Sequence, residues 1–198
     1  MKTILLTSTA LVMSAGMAVA EVSVSGDGRM GVVATNGGDV GFNSRVRIKF
    51  AASGETDNGL TFGGSVRADQ DGTGGAAGSV NVAGAFGTVT MGDVSGAPEA
   101  AVGDANQRSL TGLGWHNELA YLSNADRPAV RWDYTMGDLT LRASADNPGM
   151  DGDQALGGSI AYSIGDVGFG AGVERMGDDT HTAAGVSASL GDASVKLV

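Results

Sequence analysis

Cysteine is absent from this 198-residue chain, proline occurs three times, and aromatic residues make up only 5% of it. Without cysteine there is no disulfide framework and no thiol nucleophile, so stability must come from burial or from a bilayer. Burial has little to work with, because aromatics are few and no run of fully apolar core strands is visible. No segment approaches the roughly 18 consecutive apolar residues of a transmembrane helix, which excludes a helical membrane protein. Basic residues are also scarce, 12 against 22 acidic ones, and a formal charge of −10 repels nucleic acid. The two histidines, His116 and His181, lie in predicted loops and in no metal or triad spacing, and no serine has a signature that singles it out for catalysis.

What is plentiful is glycine, with 34 residues, and aspartate. By composition alone that fits disorder, but the periodicity argues for strands. The chain opens with Lys2, an apolar run from Ile4 to Met13, and Ala18-Val19-Ala20 ahead of Glu21. These are the n-region, h-region and cleavage site of a signal peptide spanning residues 1–20, which leaves 21–198 as the exported domain. Its removal takes one lysine and moves the formal charge from −10 to −11.

Directly after Ala20 the residues alternate with a period of two, which is the side-chain period of an extended strand. Val22, Val24, Met30 and Val32 share one face, and Glu21, Ser23, Ser25, Asp27 and Arg29 share the other. Between Val40 and Ala52, Phe42, Val46, Ile48 and Phe50 face one way and Asn43, Arg45, Arg47 and Lys49 the other. Further strands are predicted at about 60–69, 78–86, 88–93, 129–136, 139–145, 155–164, 167–176, 182–190 and 193–198. That makes about eleven, of the length that crosses a membrane. Short turns are expected at 84–87, 137–138, 165–166 and 191–192, and long acidic, glycine-rich loops at 70–77, 94–128, 146–154 and 177–181. Short turns on one side and long loops on the other are the layout of an antiparallel transmembrane β-barrel. The aromatics fit a bilayer. Phe42 and Phe50, eight residues apart on a tilted strand, lie about 20 Å apart along the membrane normal, close to the height of an apolar band, and Trp132, Tyr134, Tyr162 and Phe169 join them as an aromatic girdle.

The starts EVSVSGDGRMGV and FNSRVRIKF, then SGETDNGLTFGGSVRA and GAFGTVTMGD, and less tightly RPAVRWDYTMGDLTLRASA, resemble the general diffusion porins of alphaproteobacterial Gram-negative bacteria. The order of these stretches is the specific part. The resemblance implies an outer-membrane homotrimer of barrels, among lipid and lipopolysaccharide, with about sixteen strands each. About eleven of those are present here, a partial barrel, and the chain stops at Lys196-Leu197-Val198 without a terminal aromatic, which suggests C-terminal truncation. The resemblance also implies that the third long loop, after Asp93, folds into the lumen.

The chemistry expected is an arrangement of charge. Arg45, Arg47 and Lys49, with Arg29 and Arg67 on the neighbouring strands, form a pore-lining basic cluster that needs countercharge or water. Asp93, Glu99, Asp104 and Glu118 on the long loop are the expected constriction acids. Opposed charged rims across an aqueous gap order water and admit small hydrophilic solutes and ions by passive diffusion, without catalysis. Gly26-Asp27-Gly28-Arg29-Met30-Gly31 matches a dinucleotide fingerprint, but no helix follows it. Asp69, Asp71, Asp151 and Asp153 offer D-x-D spacings for weak loop-bound calcium, with no cofactor otherwise expected. Two alternatives stay open: a small structural or adhesive outer-membrane barrel with a packed interior, and a soluble secreted β-protein that binds ligand or calcium.

Overall fold

The computed structural model describes residues 21–34, 38–69, 78–104, 119–124, 129–149 and 152–198. The expected signal peptide, and the site candidates Asp71, Glu118 and Asp151, lie outside the described residues. Two compact units divide the chain at Gly84. In the first, β1 (Glu21–Ala34), β2 (Val40–Glu55), β3 (Thr61–Asp69) and β4 (Gly78–Gly84) pair antiparallel in chain order. The second holds β5 (Gly87–Gly92), β6 (Ala129–Met136), β7 (Leu139–Ala145), β8 (Leu156–Ile164), β9 (Val167–Met176), β10 (Asp179–Leu190) and β11 (Ala193–Leu197). These too pair antiparallel, each with the next. The fold is all-β, with eleven antiparallel strands among the described residues, at the positions the alternation marks.

Register decides which residues share a face, because a slip of one residue exchanges the two faces of a strand. Pairing of β1 with β2 runs unbroken from Glu21↔Ser53 to Ala34↔Val40, so Val24 meets Phe50 and Val32 meets Phe42. The apolar face is the exposed one: Phe42 is 98% and Met30 92% accessible, while Asn43, Arg45 and Arg47 on the opposite face are half-buried. A soluble sandwich has the reverse arrangement. Among the described residues, the buried hydrophobics are few and all lie in the second unit: Val94, Ala97, Val102, Tyr121, Ala129 and Ala155.

Two expectations need correction. Residues 177–181 do not form a long loop, since β10 begins at Asp179 and only Gly177-Asp178 turn the chain. Gly177 takes a φ of 59°, the left-handed conformation that a two-residue hairpin turn demands and glycine supplies without strain. Gly-Asp composition looks alike in a tight turn and a long loop, so the sequence alone did not separate them. The connection after Asp93 is also not without structure. It contains α1 (Ala97–Val102) and a 3₁₀ turn at Leu122–Asn124.

Candidate functional site

In the first unit the basic residues meet across the strands. Arg29 lies opposite Arg45, and Lys49 opposite Arg67, two direct like-charge pairings that cost free energy unless water or countercharge relieves them. Asp27 relieves one: its Oδ2 lies 3.5 Å from Arg45 Nη2, with the arginine side chain 19% and the aspartate 64% exposed. The Nε atoms of Arg29 and Arg45 are buried without a hydrogen-bond partner. Beside this strip the polar face holds a hollow of about 570 Å³, lined by residues that include Glu21, Lys49, Glu55, Ser65, Ser79 and Asn81.

In the second unit α1 lies against the polar face of β7 to β10. Ser144 Oγ accepts a hydrogen bond from Ala97 N at 2.8 Å, and Ser159 Oγ donates to Ala97 O at 2.6 Å. The strands beneath are glycine where the helix comes closest. A Cβ on Gly172 would stand 2.8 Å from Pro98 Cα, and one on Gly170 would collide with the Ala101 carbonyl. The helix rests on backbone, which is why the inward face of these strands is built from glycine and serine.

The returning limb is held by Glu174, which is 1% exposed. Its Oε1 accepts from Leu122 N and its Oε2 from Ser123 N at 3.4 Å. Tyr121 Oη donates to Gly103 O at 2.9 Å, and His181 Nδ1 lies 2.9 Å from Ala120 O. Together they close the loop on itself and onto β9 and β10. Glu99 titrates above its ordinary value of 4.5, chiefly because it is buried; Asp104 and Glu174 push the same way, while the Ser95 hydroxyl and Arg131 oppose. Burial first, then Asp104, Glu99 and Glu174, also raises the Tyr121 hydroxyl.

A second charge cluster stands where the loop leaves β5. Asp133 Oδ2 accepts from Arg131 Nε at 2.9 Å and its Oδ1 from Arg142 Nε at 2.8 Å, while Arg131 Nη1 donates to Ser95 O at 3.0 Å. One carboxylate therefore orders two guanidiniums, and one of these anchors the loop.

The structure thus brings Arg29, Arg45, Arg47, Lys49 and Arg67 together on three adjacent strands, and Glu99 and Asp104 together on the loop in the second unit. Asp104 Oδ1 is engaged within the loop, accepting from Leu119 N at 3.1 Å. Asp93 follows β5 directly. Asp69 ends β3, and Asp153 lies beside the Gly177 turn. Of the aromatics, Phe42, Phe50, Tyr162 and Phe169 are exposed, and Tyr162 pairs with Phe169 across β8 and β9. Trp132 and Tyr134 stack with centroids 5.7 Å apart, and Trp132 Nε1 donates to Phe86 O at 2.7 Å. The sequence reading missed Glu174, Tyr121, Arg131, Asp133 and Arg142. Alternation places the charged residues of β6, β7 and β9 on the polar face, but their partners lie up to 52 residues away and only the register shows them.

An antiparallel meander with an outward apolar face, and with a long loop folded back onto its polar face, defines a membrane β-barrel wall of the porin type. The family model for the Gram-negative porin matches residues 7–198, and the chain belongs to that family. It is 36% identical over 171 residues to a porin of Rhodobacter capsulatus, covering 79% of this chain and 56% of the relative's length. A porin structure refined at 1.8 Å superposes with a TM-score of 0.75 at 34% identity, covering 89% of this chain and 66% of that one. A triple mutant of Rhodopseudomonas blastica porin shares the fold, with a TM-score of 0.60 at 21% identity over 87% of this chain and 71% of that one.

Proposed function

We propose that the protein forms the wall of a water-filled outer-membrane channel through which ions and small hydrophilic solutes diffuse passively, with no covalent step. One observation carries this reading. The apolar side chains face outward and are exposed, while the arginines of β2 are sheltered on the other face. Hydrocarbon suits the first face and water the second.

On this reading each unit contributes its own charged lining. The first supplies Arg29, Arg45, Arg47, Lys49 and Arg67, and the second supplies the loop acids Asp93, Glu99, Asp104 and Glu118. The acidic excess makes the passage mildly cation-selective. The aromatic residues sit at the lipid interfaces, the channel is a homotrimer surrounded by lipid and lipopolysaccharide, and residues 1–20 direct export. No resident cofactor is needed, and the loop aspartates bind calcium weakly at most.

Planar-bilayer recording of the full-length protein is the test. Stepwise conductance increments with modest cation selectivity are expected. Their absence from protein that is folded and membrane-inserted sinks the proposal, and recovery in the soluble fraction of the periplasm sinks it independently.

A further inference from the structure

The hollow of about 570 Å³ on the polar face of the first unit gathers neutral hydrogen-bonding side chains on three adjacent strands. Register shows how they meet. Ser53 pairs with Gly63 and Gly63 with Asn81, while Thr61 and Ser65 stand two residues to either side of Gly63 on β3, with Ser79 directly opposite Ser65. Strands lie about 4.8 Å apart and same-face neighbours about 6.6 Å apart along a strand, so the five polar residues ring one glycine. That glycine makes the floor. A Cβ on Gly63 would stand 2.9 Å from Asn81 Oδ1 and 3.3 Å from Ala52 O, and its absence lets the Asn81 amide lie over β3.

These groups are uncommitted. Among the described residues, the side chains of Ser53, Thr61, Ser65, Ser79 and Asn81 make no hydrogen bond within the protein. The serines on the polar face of β7 and β8 differ, since Ser144 and Ser159 are spent on seating α1. Ser65, Ser79 and Asn81 are nonetheless half-buried, so water must satisfy them inside a concave space. Serine, threonine and asparagine each present a donor and an acceptor, and a solute hydroxyl does the same, so it can replace such a water bond for bond. An ammonium only donates and a carboxylate only accepts. The charged lining residues, Glu21, Glu55 and Lys49, are of both signs and favour neither ion. The volume falls within the roughly 300–1,000 Å³ of small-molecule sites, enough for a sugar ring.

We infer that this hollow is a weak subsite for a neutral polyhydroxylated solute, a monosaccharide or small polyol, held by Ser65, Ser79 and Asn81 and bounded by Ser53 and Thr61. The inference rests on the reading of the polar face as the water-facing lining of a channel, and adds to it a class of solute that lingers there. Binding exchanges hydrogen bonds to water for hydrogen bonds to protein, so the net gain is small. Low affinity suits a passage, because a solute that enters must also leave. Gly63 is a positioning residue, acting through the Asn81 amide.

The test is equilibrium binding to the full-length protein folded in detergent, followed by saturation-transfer NMR, with glucose as the probe and dioxane as a ring ether without hydroxyls. Saturable binding of glucose in the millimolar range, with none of dioxane, is expected. Asn81→Ala, and the double variant Ser65→Ala with Ser79→Ala, should each weaken it about two- to tenfold, the scale of one or two neutral hydrogen bonds. Gly63→Ala should weaken it similarly by displacing the Asn81 amide, and Ser189→Ala in the second unit should leave it unchanged. The serine variant leaves Asn81 and Gly63 in place, so it remains informative if Asn81→Ala fails to fold. No saturable glucose binding, equal binding of dioxane, or wild-type affinity in the folded serine variant overturns the inference. Because the readout is binding, a protein that conducts without binding glucose refutes the subsite alone, and one that binds glucose without conducting refutes the channel alone.

Discussion

Glu174 shows how one side chain can hold a loop. It is buried and accepts from the backbone N–H groups of Leu122 and Ser123, donors that a 3₁₀ turn leaves unpaired at its start. Glu174→Ala removes both acceptors and should cost about 1–3 kcal/mol of local docking free energy. Hydrogen exchange at residues 121–123 should quicken accordingly, while exchange in β6 and β7 stays unchanged. Glu99 sets a pH dependence. Its folded carboxyl binds its proton more tightly than the unfolded one, so the docked loop carries more bound protons than the released loop. Docking is therefore strongest below the ordinary value of 4.5 and weakens as pH rises through the window above it. Protease sensitivity of the loop should increase across that window, and Glu99→Gln should flatten the dependence.

Among the elements, the pairing of α1 with its glycine bed is the most demanding fit. Gly172→Val places carbon against the Pro98 backbone, where neither partner has a flexible end to move aside. The helix should lift while the strands persist, seen as unchanged strand content by circular dichroism and a changed single-channel conductance. Gly31→Ala, with nothing within 4 Å of the added carbon, is the matched control. The same contrast explains what could be read from the sequence. Strands were legible because alternation repeats over many residues: β6, β7 and β9 fall where the pattern puts them, and the others differ by a few residues at their ends. The basic strip was legible too, since Arg29, Arg45, Lys49 and Arg67 follow from face and strand order. The six-residue α1 was not, because it has fewer than two helical turns and owes its stability to the surface it meets. Arg142 and Glu174 were visible as inward charges, but not their tasks, which depend on contacts far away in sequence.

For the molecule as a whole, the outward apolar face sets the folding energetics. Ile48 lies near the middle of β2 and Phe42 near its start. Ile48→Arg should cost about 2–4 kcal/mol of folding free energy in a bilayer, and Phe42→Arg about 0–1, the depth dependence expected of lipid-facing positions. Urea titrations of folding into liposomes check both. Equal costs at the two sites would contradict a lipid-facing β2, and so would a larger cost at Phe42. The bonds that seat α1 carry a further consequence. Ala97 joins Ser144 and Ser159, partners 47 and 62 residues further along. The helix therefore has nowhere to settle until the hairpins that carry Ser144 and Ser159 have formed. In the proposed channel, any narrowing that the helix imposes therefore waits on the closure of strands that follow it in the sequence.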